Sequence, residues 1–133
     1  MGYWLFKTEP GDYSFSDLER DGTTTWSGVR NNSALKHLRA VEKGDSVLIY
    51  HTGNEKAVVG VAEVVRSAQT GTPHQKSADV EVKIVQRLKR PVTLAELRMD
   101  KEFAEFDLIR NSRLSVMPVN DKRWNIILKK GLS

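Results

Sequence analysis

The sequence predicts an α+β domain in which a bent, barrel-like sheet of mixed or antiparallel strands is surrounded by peripheral helices. Two observations favour this class: several β-rich segments recur along the chain, and helical segments lie between them without the strict alternation of a doubly wound parallel fold. The 133 residues are enough for one domain with an apolar core, and no linker or repeat divides them. We therefore expect a single domain over residues 1–133.

The first half of the chain supplies an opening strand, two helices and a hairpin. The segment "YWLFKT" is β-rich, and Ser16 and Glu19 have the spacing of a capping box at the start of a short helix that ends near Gly22. In "SALKHLRAVEKGD" the apolar residues fall on one stripe, which predicts an amphipathic helix with Gly44 as its C-terminal stop. The segments "SVLIYHT" and "KAVVGVAEVV", separated by a turn that Gly53 begins, predict an antiparallel hairpin.

The second half predicts two more strands and further helices. The segment "DVEVKIVQRL" alternates apolar and polar residues, as a half-buried strand does, and follows an exposed loop at "QTGTPHQKSA". Thr93 and Glu96 have the spacing of a second capping box, "EFAEFDLIR" has helical character, "RLSVMPV" is a short strand, and Asn120 caps a last helix through "DKRWNIILKK". Trp124 is expected in the core because Ile127 follows it at helical spacing.

Composition excludes several functional classes. Hydrophobic residues make up 39% and charged residues 29%, which is ordinary for a globular protein, and no apolar run approaches the roughly 20 residues that span a bilayer. The N-terminal segment lacks the pattern of a secretory signal, so we expect a cytoplasmic location and no membrane partner. With no cysteine and three scattered histidines (His37, His51 and His74), we expect no metal site and no cofactor.

The positive charge is unevenly distributed along the chain. The formal net charge is +4, and residues 1–25 carry a net −3 whereas residues 26–133 carry a net +7. This asymmetry fits a face that binds a polyanion, and it fits equally well a solvated surface without a partner. Charge alone leaves both interpretations open.

The basic part of the chain begins at the segment "TWSGVRNN", which covers residues 25–32. It combines an aromatic residue, a glycine, a cation and two amides without a helical or strand period. Irregular segments position side chains for function more often than regular elements do. The alternative is that Trp26 is a core aromatic residue, which is the commoner place for tryptophan.

Five blocks of the sequence resemble, in order, those of the EVE domain family, which includes the thymocyte nuclear protein relatives. The similarity runs almost end to end and implies a PUA-like fold, a bent β-barrel with helices packed around it. The blocks are "YWLFKTEP", "WSGVRN" at residues 26–31, "GDSVLIYHT" at 44–52, "VVGVAEVV" at 58–65 and "RLSVMPV" at 113–119.

EVE domains are similar to YTH domains, which read a methylated adenine in RNA, and the resemblance implies a reader of modified bases in DNA or RNA. Such a reader takes the base out of the stack, stacks an aromatic ring on its face and hydrogen-bonds its edge. On this interpretation Trp26 supplies the face, Ser27 and Asn31 contact the edge, Gly28 lets the backbone approach closely, and Arg30 holds a phosphate.

The predicted site has two parts, neither of them catalytic. Tyr50 and His51 point to opposite sides of their strand, so one of them is expected at the pocket, and a structural role for His51 is the alternative. The acidic segment near Asp12 is interpreted only as a turn. The modified-base pocket is predicted to contain Lys7, Thr8, Glu9, Trp26, Ser27, Gly28, Val29, Asn31, Tyr50, His51, Leu114 and Ser115. The phosphate contacts are predicted at Arg30, Lys36, Arg39, Lys43 and Arg113.

Two other functions remain as alternatives. ASCH proteins, which are also PUA-like, include small hydrolases and nucleases, and Lys7, Glu9, Tyr50 and His51 are the residues that would form an acid/base cluster. No nucleophile elbow, metal-ligand spacing or dense acidic pair supports that function. The second alternative is an RNA-binding module indifferent to base modification. The oligomeric state and a separately encoded effector enzyme as partner are left open.

Overall fold

The computed structural model describes residues 2–26, 29, 31–67 and 79–133, and within them six strands form one sheet. The strands are β1 (Tyr3–Thr8), β2 (Thr23–Trp26), β3 (Ser46–His51), β4 (Ala57–Arg66), β5 (Val80–Thr93) and β6 (Val116–Pro118). The helices are α1 (Phe15–Asp21), α2 (Asn32–Ala40), α3 (Leu94–Arg98), α4 (Asp107–Arg110) and α5 (Asp121–Leu132), with a 3-10 helix at Lys101–Phe103. None of the helices in these ranges has the length and apolar character needed to cross a membrane.

The sheet is mixed, which is one of the two arrangements that the sequence left open. Its strand order is β2-β5-β4-β3-β1-β6, with β1 and β3 parallel and the other neighbouring pairs antiparallel. The predicted hairpin is confirmed as β3 and β4, which pair from Ser46 opposite Glu63 to His51 opposite Ala57. The parallel pair requires a long crossover, and α1, β2 and α2 provide it.

The sheet curls so strongly that β2 and β1, which are first and fifth in the hydrogen-bonded order, meet. Trp26 of β2 and Phe6 of β1 have ring centroids 5.4 Å apart, although three strands lie between theirs in the hydrogen-bonded order. In a flat sheet four strand spacings of roughly 4.8 Å would separate them by roughly 19 Å. Register shifts along β4 and β5, such as the one between Val58 and Gly60, mark the irregularities at which strands bend.

The helix after the "TWSGVRNN" segment is amphipathic, as predicted, but it is shorter than predicted. α2 buries Ala34, Leu35 and Leu38 and ends at Ala40, whereas Gly44 was expected to stop it. Val41 is already extended (φ −66°, ψ 135°) and is 1% exposed, so burial of this β-branched side chain ends the helix early.

The capping box of α1 lies two residues before the predicted one. Ser14 Oγ accepts from the backbone N–H of Asp17 at 3.1 Å, and Asp17 Oδ2 accepts from the backbone N–H of Ser14 at 2.9 Å. The predicted pair, Ser16 and Glu19, instead binds Arg87 of β5 through the hydroxyl and the carboxylate. Ser14 and Ser16 each precede an acidic residue by three positions. The contact of the Ser16 and Glu19 side chains with Arg87, which is distant in the sequence, decides which serine caps the helix.

The C-terminal elements agree with prediction except at one helix. The capping box of Thr93 and Glu96 and the cap at Asn120 are both confirmed. The segment "EFAEFDLIR" does not form one helix, because Phe103 ends the 3-10 helix and Phe106 is extended as the N-cap of α4. Both rings are buried and pack edge to face at 5.7 Å, which favours the break in the helix.

Candidate nucleic-acid interface

A cavity of about 430 Å³ lies where β2 approaches the end of β1, a size typical of ligand pockets. We call it the Trp26 pocket. Its walls come from the end of β1, the loop before α1, β2 and the residue that precedes β6. Among the described residues its lining is Lys7, Thr8, Glu9, Asp12, Tyr13, Thr24, Thr25, Trp26, Val29 and Ser115.

Trp26 forms the aromatic wall of this pocket. It is the last residue of edge strand β2, where it pairs with Val80, so the first two residues of the "TWSGVRNN" segment belong to a strand and were wrongly interpreted as irregular. The indole is half-buried, with Phe6 tilted at 46° against it from the core side. A partly exposed ring supported from behind suits stacking on a base.

Two polar side chains at the end of β1 are held in place by hydrogen bonds. Thr8 Oγ1 donates to the Tyr13 carbonyl at 2.6 Å. The Glu9 carboxylate accepts from Thr52 Oγ1 at 3.0 Å and from the Gly11 N–H at 3.3 Å. Glu9 therefore presents an exposed and oriented carboxylate, which is a suitable acceptor for an exocyclic amino group.

Tyr13 forms the edge of the pocket nearest α1. Its hydroxyl donates to Asp21 Oδ2 at 2.9 Å, and burial raises the pKa of the phenol above its ordinary value. The proton therefore stays on the tyrosine at neutral pH, and the hydrogen bond ties the loop before α1 to the end of the helix.

Lys7 is the cation in the lining of the Trp26 pocket. Its Nζ donates to the Ser112 carbonyl at 3.2 Å and lies 6.0 Å from the centre of the Tyr50 ring. Burial lowers the pKa of this ammonium, since taking it out of water disfavours the charged form. A bound anion would compensate for that loss of hydration.

The structure brings half of the predicted pocket residues together. Lys7, Thr8, Glu9, Trp26, Val29 and Ser115 line one cavity although they come from three separate sequence blocks. The predicted residues Ser27, Gly28 and Arg30 lie outside the described residues.

The matching family model is that of the EVE domain, and it covers residues 2–130. The chain belongs to the EVE domain family. Thymocyte nuclear protein 1 from human is 27% identical to it over 162 residues, which cover 95% of this chain and 72% of that protein.

Solved structures agree with the family assignment and with the curled sheet. A Rhodopseudomonas palustris protein is 37% identical and superposes with a TM-score of 0.90, covering 98% of this chain and 93% of that one. The human THYN1 protein in complex with 5-methylcytosine-containing DNA is 26% identical, with a TM-score of 0.89 over 100% of this chain and 99% of that one. The PUA-like architecture predicted from the sequence is therefore confirmed.

A Zymomonas mobilis ASCH protein is also similar in structure, with a TM-score of 0.61 and 13% identity over 96% of this chain and 94% of that one. This is a likeness of fold alone. Of the acid/base residues considered from the sequence, Lys7 and Glu9 line the Trp26 pocket, Lys7 and Tyr50 line a neighbouring cavity, and His51 lines neither.

His51 has a structural role, the alternative considered from the sequence. It is 6% exposed, its Nε2 accepts from the Phe15 N–H at 2.9 Å, and its Nδ1 lies 2.6 Å from Glu55 Oε1. The acceptor role of Nε2 places the proton of the neutral ring on Nδ1, facing Glu55. His51 thereby ties the end of β3 to the first residue of α1.

Three other predicted pocket residues lie elsewhere. Asn31 uses its side-chain oxygen to cap α2, accepting from the Ala34 N–H at 3.0 Å. Leu114 is 3% exposed within the apolar core. Tyr50 is 3% exposed and lines a neighbouring cavity, with its pKa raised by burial.

Four lining residues were missed: Asp12, Tyr13, Thr24 and Thr25. The period of two along β2 could have found Thr24, since it lies on the same face of the strand as Trp26. Asp12 was interpreted only as part of a turn, and nothing local in the sequence brings that turn to β2. The contact depends on the curl of the whole sheet.

The predicted phosphate-binding residues that the structure describes are exposed, and none of them lines the Trp26 pocket. Lys36 and Arg39 lie on α2, Lys43 lies in the turn after it, and Arg113 lies in the turn before β6. Their role therefore stays a prediction.

Proposed function

We propose that this EVE domain binds DNA and reads a modified base in the Trp26 pocket, with 5-methylcytosine as the first candidate. The observation that carries the proposal is the half-buried Trp26 ring, supported by Phe6, at the wall of an open cavity of about 430 Å³. The complex of the human THYN1 protein with 5-methylcytosine-containing DNA supports the choice of base.

The polar groups of the pocket suit the edge of a cytosine. A carboxylate accepts from the cytosine N4 amino group, and Glu9 presents one that keeps free lone pairs beside its contacts with Thr52 and Gly11. The hydroxyls of Thr24 and Ser115 are further groups within the lining. Val29 is the aliphatic side chain of the lining and suits contact with a methyl group.

Discrimination by a methyl group has a limited size. One methyl in an apolar pocket is worth about 1–3 kcal/mol, which corresponds to roughly 10–200-fold. Most of the affinity must therefore come from stacking and from phosphate contacts, and a lone nucleoside is expected to bind weakly. We propose a binding module without chemistry of its own.

The test is a binding screen at fixed salt with oligonucleotides that differ at one cytosine. The unmodified, 5-methyl and 5-hydroxymethyl forms are compared in DNA, and the unmodified and 5-methyl forms in RNA. The proposal expects the 5-methyl DNA to bind tightest. Equal affinity for modified and unmodified bases throughout the screen would overturn modified-base reading and leave an RNA- or DNA-binding module without modification preference.

A further inference from the structure

A second cavity, of about 200 Å³, lies beside the Trp26 pocket and shares Lys7 with it. We call it the cation cavity. The end of β3, the turn after it, α3 and the region around α4 form its walls. Its described lining is Lys7, Tyr50, Thr52, Gly53, Lys56, Leu94, Arg98, Leu108, Ile109 and Ser112.

The cation cavity collects three positive charges and no carboxylate in its lining. The cations are Lys7, Lys56 and Arg98, and within the described parts of the chain none of them forms a salt bridge. By contrast, Arg87 pairs with Glu19 and Arg90 pairs with Glu96 on the same sheet. Glu9 is the carboxylate beside this lining, where it accepts from Thr52, and the three cations outnumber it, so this cavity favours an anion.

The electrostatics of Tyr50 and Lys7 agree with this geometry. Arg98 is near enough to Tyr50 for its charge to oppose the effect of burial, which raises the pKa of that phenol. Lys7, between the two cavities, has its pKa lowered by burial. An anion in the cation cavity would restore part of the stabilisation that its ammonium loses out of water.

Lys56 adds an independent observation from the backbone. Its φ is +46°, and among the described residues it is the one non-glycine residue with a positive φ. Its carbonyl accepts from the Leu94 N–H at 2.8 Å, which fixes this conformation against the start of α3. Strained backbone of this kind concentrates at ligand-binding sites, where the surrounding structure maintains it.

The cation cavity continues into a third depression of about 410 Å³, which shares Lys56, Leu94 and Arg98 with it and also contains Glu55, whose carboxylate contacts His51. The Trp26 pocket, the cation cavity and this outer depression therefore form a continuous series, with Lys7 at the first junction and Lys56 and Arg98 at the second. A polynucleotide fits such a series, because it carries a base with phosphates at regular intervals on either side.

We propose that the cation cavity binds backbone phosphate of the DNA strand whose modified base enters the Trp26 pocket, with Lys7, Lys56 and Arg98 as its ligands. This inference rests on the proposed function for the identity of the strand. It moves the main phosphate path away from α2, where the sequence alone had placed it. Phosphate contacts fix the register of the strand and carry no base preference.

The experiment compares two double variants that each remove two positive charges. Lys56→Gln with Arg98→Gln alters the cation cavity, and Lys101→Gln with Lys129→Gln is the matched control, at two exposed lysines that belong to no predicted site and form no salt bridge within the described residues. Gln tolerates the φ of Lys56 no better and no worse than Lys, so both variants should fold, which circular dichroism checks. Affinity is measured between about 50 and about 200 mM salt with methylated and unmethylated DNA oligonucleotides and with RNA oligonucleotides of the same sequence.

The cation-cavity variant should reduce the slope of log affinity against log salt by roughly 1.8 on duplex DNA, since each lost phosphate contact removes roughly 0.9. The ratio of affinities for methylated and unmethylated DNA should stay as in the unaltered protein. The control variant should keep the slope.

The two proposals fail in different ways. An unchanged slope in the cation-cavity variant, or an equal loss in the control variant, overturns the phosphate site while methyl preference can persist. Equal binding of methylated and unmethylated DNA, with the slope still reduced by the cation-cavity variant, overturns base reading and supports the phosphate site. A slope reduced on RNA and unchanged on DNA overturns the assignment to DNA, and an unaltered protein that shows no salt-dependent binding overturns both.

Discussion

Strand β1 contacts a tryptophan on each of its two faces, and the two environments differ. On one face Tyr3 stacks on Trp124 with ring centroids 4.3 Å apart and planes 13° apart, and Trp124 is 5% exposed. On the other face Phe6 meets Trp26 at 5.4 Å and 46°, and Trp26 stays half-buried beside a cavity. The odd separation of Tyr3 and Phe6 places them on opposite faces of the strand.

The covering elements explain the difference. Trp124 belongs to the twelve-residue helix α5, which packs on β5 and buries Ile127 as well. Trp26 ends an edge strand of four residues, where the chain leaves the sheet. The Trp124 face is stabilised by apolar packing, whereas the Trp26 face is bordered by exposed polar contacts such as that of Tyr13 with Asp21. We therefore expect stability to depend on the Trp124 face and the proposed base binding to depend on the Trp26 face of the same strand.

We call the face of β1 that Trp124 covers the closed face and the face beside Trp26 the open face. The largest expected effect is on the closed face. Trp124→Ala removes a buried ring that stacks on Tyr3 and leaves a cavity, so the free energy of unfolding should fall by about 3–5 kcal/mol. That is a large fraction of the total stability of a small domain. Denaturant unfolding measures it, and the fraction that remains folded should keep the methyl preference. A stable Trp124→Ala protein would contradict the assignment of this face as the stabilising one.

A smaller effect is expected at the contact between β4 and the start of α1. A Cβ at Gly60 of β4 would lie 2.2 Å from Cζ of Phe15, which is fully buried and whose N–H binds His51. Gly60→Ala should therefore displace the start of α1 and cost about 1–3 kcal/mol of stability. Denaturant unfolding measures the loss of stability, and DNA affinity reports whether the displaced start of α1 disturbs the Trp26 pocket.

Gly11→Ala is the matched control for the Gly60 variant. Gly11 lies in the loop that leads into Phe15 and α1, and a Cβ there would lie 3.6 Å from Glu9 Oε1, which is an ordinary contact. Stability should be retained in this variant. If both glycine variants behave alike, close packing of Phe15 on β4 does not position the loop.

On the open face the effect should be on binding. Trp26→Ala should weaken DNA binding by about 1–3 kcal/mol, the usual contribution of one base-aromatic stack, and should remove the methyl preference. Trp26→Phe keeps a ring against Phe6 and should recover part of both. Binding isotherms with methylated and unmethylated DNA measure this, beside unfolding curves. A Trp26→Ala protein that keeps its methyl preference would exclude stacking in this pocket.

Sequence periodicity predicts the closed face better than the open one. The position of Trp124 follows from the spacing of Ile127 in a helix whose cap, Asn120, is local. The hairpin of β3 and β4 is equally local. For the pocket, the family resemblance predicted Lys7, Trp26 and Ser115 from separate blocks, and the structure places all of them in one lining.

The remaining features depend on contacts between residues distant in the sequence. His51 binds the N–H of a residue 36 positions earlier, and Arg87 binds Glu19, 68 positions earlier, which decides the cap of α1. Lys56 and Arg98 meet only because α3 folds back on the turn before β4. No local period carries information of this kind, so the cation cavity could not be predicted from the sequence.

The smallest expected effect is a pH dependence of stability that arises near the open face and not near the closed one. Three carboxylates of α1, near the open face, have lowered pKa values: Asp17 through the Ser14 N–H, and Glu19 and Asp21 through hydrogen bonds from Arg87 and Arg20. In the unfolded chain the carboxyl pKa is about 3.9 for aspartate and about 4.3 for glutamate. Between these values and the lower folded pKa values, the unfolded chain binds more protons than the folded one. Their contribution to stability is therefore present above those values and is lost as the pH falls through the folded pKa values.

These groups are exposed, so the loss should be small. Asp17→Asn with Glu19→Gln should flatten the dependence of the urea midpoint on pH from about pH 5 down to about pH 2.5. Asn at position 17 can still accept from the Ser14 N–H, which keeps the cap of α1. Glu42→Gln removes a carboxylate that makes no salt bridge within the described residues, and its curve should run parallel to that of the unaltered protein. If acid lowers the midpoint of the α1 variant as steeply as that of the unaltered protein, these carboxylates do not stabilise the open face, and its stability must depend on apolar contacts like those around Trp124.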